Sequence, residues 1–109
     1  APAKAPPSGK ARIHHLALGH NAFLGHLTMD GGGAVPEHRD TSEEFIYVLE
    51  GSGTITIDGV ATDIGPGTAV YMPANAKVTY RNGPAPMKAL QVFAGPGSAA
   101  KYDAWTTVK

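Results

Sequence analysis

Three side chains that can bind a metal ion or move a proton lie close together between Gly32 and Gly51. His38 and Asp40 are two residues apart, so on a β-strand they would share one face. Glu44 follows a short polar break and opens a new apolar run. We therefore expect one imidazole and two carboxylates to converge across two neighbouring strands. Such a set can hold a divalent metal ion or a small polar ligand.

The elements around these residues are predicted to be short strands, since helical periodicity is missing almost everywhere. Asp58-Gly59 is the strongest hairpin signal, because a type I′ turn needs positive φ at both central residues. About nine strands with frequent turns predict an all-β sandwich or barrel. The predicted strands span 11–18, 22–29, 35–39, 44–49, 54–57, 60–64, 68–72, 77–81 and 87–94, with a further one near 105–108.

Composition limits the classes of protein to which the chain can belong. Its 109 residues are enough for one domain with one core. The absence of cysteine excludes disulfides, thiolate zinc sites and cysteine nucleophiles. The net charge is zero and the basic residues are scattered, so we expect neither a nucleic-acid partner nor a membrane partner. No apolar run approaches the length that spans a bilayer.

The first ten residues have almost no apolar bulk and contain three prolines. We predict a disordered or polyproline-like tail over residues 1–10 and a single domain over residues 11–109. The chain begins at Ala1 with no methionine, which fits a secreted or periplasmic protein whose signal peptide has been removed. The alternative is a trimmed or cytoplasmic chain.

The spacing of the residues around His38 resembles the first motif of the cupin superfamily, G-x5-H-x-H-x3,4-E-x6-G. Gly32, His38, Glu44 and Gly51 all fall in register with this motif. Asp40 stands where the family usually has its second histidine.

The second cupin motif, G-x5-P-x-G-x2-H-x3-N, is matched in part. Gly67, Pro73 and Asn82 are in register, whereas Asn75 replaces the second glycine and Val78 replaces the histidine. The resemblance covers roughly residues 25–93 and implies a double-stranded β-helix, the cupin jelly-roll barrel. It does not choose among the many activities of the superfamily.

The resemblance implies a metal site made of His38, Asp40 and Glu44, without a ligand at Val78. His26 could supply the missing nitrogen if it points into the barrel; His20, Met72 or water are alternatives. The metal could be Mn, Fe, Ni, Cu or Zn, and the oxygen-rich donor set favours Mn. The other possibility is a pocket without metal. Tyr80, Val78 and Met72 are predicted to line this pocket.

Three functions remain open at this point. The favoured hypothesis is a small binding protein that holds a metal ion or a small polar ligand in the barrel mouth. The first alternative is a metal-dependent enzyme, an oxygenase or isomerase acting on a small oxygenated molecule. The second alternative is a scaffold without catalytic activity that binds a protein partner.

Strand pleating also predicts how the apolar run after Glu44 is divided between two faces. If Glu44 points inward, Phe45, Tyr47 and Leu49 point outward and need a cover. A homodimer through this face is predicted, and coverage by residues 11–18 or by the C-terminal tail is the alternative. Trp105 is expected to pin that tail onto the barrel.

Overall fold

The computed structural model describes residues 3–5, 11–95 and 106–108, and for 3–5 and 106–108 it describes the backbone alone. The described residues are β-strands, turns and loops without a helix, so the all-β prediction is confirmed. The strands are β1 (Ala3–Ala5), β2 (Ala11–Leu18), β3 (Ala22–Met29), β4 (Ala34–Arg39), β5 (Glu43–Glu50), β6 (Gly53–Ile57), β7 (Val60–Ile64), β8 (Ala69–Met72), β9 (Lys77–Asn82), β10 (Met87–Ala94) and β11 (Thr106–Val108).

The strands form two antiparallel sheets that face each other. The larger sheet has the order β11-β1-β2-β3-β10-β5-β8, and the smaller sheet has the order β4-β9-β6-β7. Strands distant in sequence are therefore neighbours, as when β10 lies between β3 and β5. This non-sequential order is typical of a jelly roll. It agrees with the predicted double-stranded β-helix.

The core lies between the two sheets and is built from alternate residues of each strand. On β10, for example, Met87, Ala89, Gln91 and Phe93 are buried, and the residues between them face outward. Most of the buried apolar side chains form one cluster that spans both sheets. A second, smaller cluster contains Ile13, Phe23 and Phe93.

Two turns show how local sequence fixes the chain path. Asp58 and Gly59 have φ values of 48° and 84° and join β6 to β7, as the predicted type I′ hairpin requires. Asn75, which replaces a motif glycine, has a φ of 65°. Asparagine tolerates this left-handed conformation better than most residues. The turn between β8 and β9 therefore keeps its backbone shape without the glycine.

The ends of the chain are described only in part. β1 lies in the segment predicted to be a tail, and it pairs with β2 on one side and with β11 on the other. The division into a tail over 1–10 and a domain over 11–109 stays a prediction. Trp105 lies outside the described residues. Among the described residues there is no helix with the length and apolar character needed to cross a bilayer.

The outer face of β5 is exposed, as the pleating predicts. Phe45, Tyr47 and Leu49 are 46%, 47% and 40% exposed. The alternative that residues 11–18 cover this face is wrong, because β2 is a strand of the same sheet and is separated from β5 by β3 and β10.

Candidate functional site

A cavity of about 260 Å³ lies between the two sheets. Its walls are mainly apolar, and Val78, Met72 and Tyr80 are among the lining residues. The polar side chains that also line it are His38, Glu44 and Gln91. The apolar remainder comes from residues such as Leu27, Met29, Val35, Ile46, Ile55, Ile64 and Met87.

Glu44 and Gln91 form a buried polar pair in the cavity wall. Each residue is 6% exposed, and Gln91 Nε2 donates a short hydrogen bond to Glu44 Oε2. Gln91 Oε1 is buried and has no hydrogen-bond partner. Glu44 is held on β5 between Met72 of β8 and Phe93 of β10. The pair therefore presents carboxylate and carboxamide groups inside an apolar space.

Gln91 is a site residue that the sequence analysis missed. The signal was present, because Gln91 is the one polar residue at the inward-facing positions of the alternating strand Met87–Ala94. A buried amide at such a position calls for a polar partner. That partner, Glu44, lies 47 residues away in sequence, so only the pairing of β5 with β10 reveals it.

His38 and Asp40 lie beside each other at the end of β4. His38 Nδ1 is 2.9 Å from the carbonyl oxygen of Pro36, and His38 Nε2 is 3.3 Å from Asp40 Oδ2. His38 lines the cavity. Asp40 is not a lining residue, and it contacts the imidazole ring of His38. The turn residue Asn75 donates its backbone N–H to the Asp40 carbonyl oxygen at 2.5 Å. This bond ties the loop after β4 to the turn between β8 and β9.

Tyr80 lines the cavity, but its hydroxyl is used by the fold. The side chain is buried, and the hydroxyl donates to Asn82 Oδ1 at 3.0 Å. Burial raises the pKa of Tyr80 to about 12, so the phenol is neutral at physiological pH. Gly53 leaves room for this hydroxyl, because a Cβ at position 53 would lie 2.1 Å from it.

Neither Val78 nor His26 supplies the ligand that a complete cupin metal site would have at position 78. Val78 is directly opposite His38 in the pairing of β4 with β9, and it is buried without any donor atom. His26 does not point into the barrel. On β3 the buried residues are Phe23, Gly25, Leu27 and Met29, and His26 belongs to the outward set. The prediction that His26 supplies the missing nitrogen is therefore corrected.

The donors in the described part of the chain do not fit the metal site that the motif implies. No group of three or more His, Cys, Asp or Glu within residues 3–5, 11–95 and 106–108 is placed so that it could hold a metal ion. Glu44 accepts a bond from Gln91, and both ring nitrogens of His38 have oxygen neighbours. What the residues form is an apolar cavity with one buried polar pair.

Comparison with known proteins places the chain in a family. The family model of the Cupin domain matches residues 25–93, more than half of the chain. This chain belongs to the cupin family. The matched range includes both cupin motifs, residues 32–51 and 67–82, and it includes Glu44 and Gln91. Membership in the cupin family explains the jelly roll and leaves the chemistry to the individual site.

One curated relative of this cupin is similar over most of the chain. The dimethylsulfoniopropionate lyase DddW of Ruegeria pomeroyi is 36% identical over an alignment of 94 residues, and the match covers 82% of this chain and 62% of that protein. The chain therefore spans less than two thirds of the relative it matches.

Solved structures of other proteins show the same fold. A RmlC-like cupin from Shewanella frigidimarina has a TM-score of 0.79 at 18% identity, covering 89% of this chain and 86% of that one. The dimethylsulfoniopropionate lyase DddQ from Ruegeria pomeroyi has a TM-score of 0.74 at 21% identity, covering 82% of this chain and 49% of that one.

Proposed function

We propose that this cupin is a binding protein that takes a small organic molecule into the cavity between its sheets. The observation that carries the proposal is the buried Glu44–Gln91 pair in the wall of an otherwise apolar cavity. Ligand sites are commonly apolar concavities with a few convergent polar groups. A core with no ligand to bind would gain little from a buried carboxylate there, because burying a charge costs free energy.

The size of the cavity limits the ligand. A volume of 260 Å³ corresponds to the room taken by about nine molecules of liquid water. A ligand of roughly five to nine non-hydrogen atoms would fill it. At about 0.5 kcal/mol per non-hydrogen atom, which is well below the ceiling for very small ligands, binding free energies of about 2.5–4.5 kcal/mol and dissociation constants of about a millimolar or weaker are expected.

The test is a screen of small molecules by NMR titration, repeated with a variant that fills the cavity. In Val78→Phe the larger ring would take up part of the cavity, and we expect binding to weaken at least tenfold. Val60→Phe is the matched control, because Val60 is 67% exposed on β7 and the same change there leaves the cavity unaltered. Thermal melting would check that both variants fold.

Two results would contradict the proposal. One is a screen in which no molecule of this size shifts the resonances of cavity residues. The other is a ligand that binds Val78→Phe and the wild-type protein equally well.

A second candidate function is an enzyme acting on dimethylsulfoniopropionate or a related small molecule. The observation that favours it is the 36% identity to the lyase DddW. Two observations speak against this candidate. Asp40 and Val78 stand at the positions where the cupin motifs have histidines, and the donors among the described residues do not form a metal site.

This candidate is tested by incubating the protein with dimethylsulfoniopropionate in five separate samples. Each sample also contains one of the metals Mn, Fe, Ni, Cu or Zn. Consumption is followed by the proton NMR signal of the substrate's S-methyl groups. Turnover that is lost in His38→Ala but retained in Val60→Ala would establish the enzyme. An unchanged substrate signal with every metal would leave the binding function.

A further inference from the structure

We infer that His14 and His26 form a separate binding site, on the outer face of the larger sheet, for a divalent transition-metal ion of the zinc type. The two histidines lie on neighbouring strands, and neither of them lines the cavity. The inference is independent of the proposed function, because no residue of the cavity wall takes part in it. Two side chains leave the other coordination positions to water, so the ion would exchange with the solvent.

The register of the larger sheet brings the two imidazoles together. His14 of β2 is directly opposite His26 of β3. Residues in such an antiparallel pair lie on the same face of the sheet, with Cβ atoms about 4.5–5.5 Å apart. An imidazole has a nitrogen two bonds from Cβ, and a Zn–N bond measures about 2.0–2.1 Å. One ion can therefore reach a nitrogen of both rings.

Both rings face outward and are accessible from the solvent. On β2 the buried residues are Ala11 and Ile13, so His14 belongs to the opposite face, where it is exposed. His26 is half-buried on the outward face of β3. Neither ring has a hydrogen bond or an ion pair with another described residue. Within the described part of the chain, therefore, no other group competes with a metal ion for these nitrogens.

The cationic side chains beside this histidine pair are held by carboxylates. Arg12 and Lys88 belong to the next row across the same face, with Thr28 between them. Arg12 Nη1 is 3.6 Å from Asp30 Oδ1, and Lys88 Nζ is 3.3 Å from Glu50 Oε2. These ion pairs reduce the repulsion that the two cations would exert on a bound metal ion.

The type of donor selects the kind of metal. Imidazole suits Zn, Cu and Ni, whereas Mg and Ca prefer oxygen ligands. No third His, Cys, Asp or Glu from residues 11–95 joins the pair in a metal-binding group. The affinity therefore depends on two imidazoles alone, and losing either ring should remove most of it.

The experiment is a titration of Zn²⁺ into ¹⁵N-labelled protein, followed by NMR of the histidine ring nitrogens after their assignment through the backbone. We expect the ring signals of His14 and His26 to shift together and to saturate at one ion per chain. Mg²⁺ at the same concentrations should leave both rings unchanged, because it binds imidazole poorly.

Two variants test whether both rings are ligands. His14→Gln and His26→Gln should each weaken the binding of Zn²⁺ at least tenfold, since each leaves a single imidazole. His20→Gln is the matched control: His20 is exposed in the turn between β2 and β3, and its loss should change the affinity less than twofold. Thermal melting without metal checks that the variants fold. If one does not fold, the ring shifts of the wild-type protein and the other variant decide.

Four results would overturn the inference. Zn²⁺ might shift only one of the two rings, or bind both glutamine variants as tightly as the wild-type protein. It might leave every ring unchanged at millimolar concentration. A shift of the His38 ring alone would instead place the ion at the cavity wall, and that result would favour the enzyme candidate over a site on the outer face.

Discussion

At the scale of single residues, Asn82 uses its whole side chain to close the fold around the cavity. Its Nδ2 donates to the carbonyl oxygens of Asp30 and Ala85 at 3.0 and 3.1 Å, and its Oδ1 accepts from Tyr80. Asn82 is 5% exposed, so these groups have little access to water. The motif asparagine therefore joins β9 to the turn after β3 and to the loop before β10, and it positions Tyr80 in the cavity wall.

Replacing Asn82 with alanine should destabilise the protein by about 2–4 kcal/mol, because several buried polar groups would lose their partners at once. Chemical denaturation measures the free energy of unfolding. The control is Asn21→Ala, at an exposed loop position, where a change within about 0.5 kcal/mol is expected. If Asn82→Ala lowers the free energy of unfolding by no more than Asn21→Ala does, the hydrogen bonds of Asn82 contribute little.

Tyr80 makes the stability of the folded protein depend on pH in the alkaline range. Burial raises the pKa of Tyr80 to about 12, whereas tyrosine in an unfolded chain titrates near 10. Between these values the unfolded state releases a proton that the folded state keeps, so stability falls as pH rises from about 10 to 12. Below pH 10 both states are protonated and this contribution is constant.

The expected size of this alkaline loss is on the order of 1–2 kcal/mol. It is measured as the difference in slope between the wild-type protein and Tyr80→Phe when the free energy of unfolding is followed from pH 9 to 12. Other groups titrate alike in both proteins and cancel. Parallel curves over this range would contradict the raised pKa of Tyr80.

At the scale of elements, the outer face of the larger sheet carries a row of apolar side chains, with polar residues such as Lys88 and Glu43 beside it. Register places Leu24, Val92, Phe45 and Tyr71 in one row across β3, β10, β5 and β8. The Phe45 and Tyr71 rings are 5.0 Å apart. Five neighbouring strands, from β2 to β8, at about 4.8 Å spacing and about 26 Å length give a face of about 600 Å². This approaches the roughly 800 Å² per partner of a stable interface.

We propose that two copies of the chain pair through this outer face. Light scattering after gel filtration should then give twice the chain mass for the wild-type protein, and Tyr47→Glu should shift the protein to monomer because it places a charge in the interface. Val60→Glu is the control: Val60 is exposed on the other sheet, so the dimer should remain. A wild-type monomer at millimolar concentration would exclude the pairing.

At the scale of the whole molecule, the cavity exists because two sheets meet along their inner faces. Glu44, Met72 and Gln91 come from the larger sheet, and His38, Val78 and Tyr80 from the smaller one. Neither sheet alone encloses the cavity. The site and the stability of the fold are therefore linked, since any change that separates the sheets also opens the cavity.

The sequence by itself determined the local structure of this protein. Alternation with period two locates strands such as Ala22–Met29 and Met87–Ala94, because side chains on a strand point alternately to two faces. Asp58-Gly59 specifies its hairpin through φ alone. The spacing of the two motifs predicted the cupin fold, which is confirmed.

Only the tertiary structure decided which face of a strand meets the core and which distant groups meet each other. On β3 both faces contain apolar residues, so alternation could not say that Leu27 turns inward and His26 outward. The Glu44–Gln91 bond depends on the register between β5 and β10. That register is set by packing over the whole barrel, because a shift of one residue would exchange the two faces of the strand.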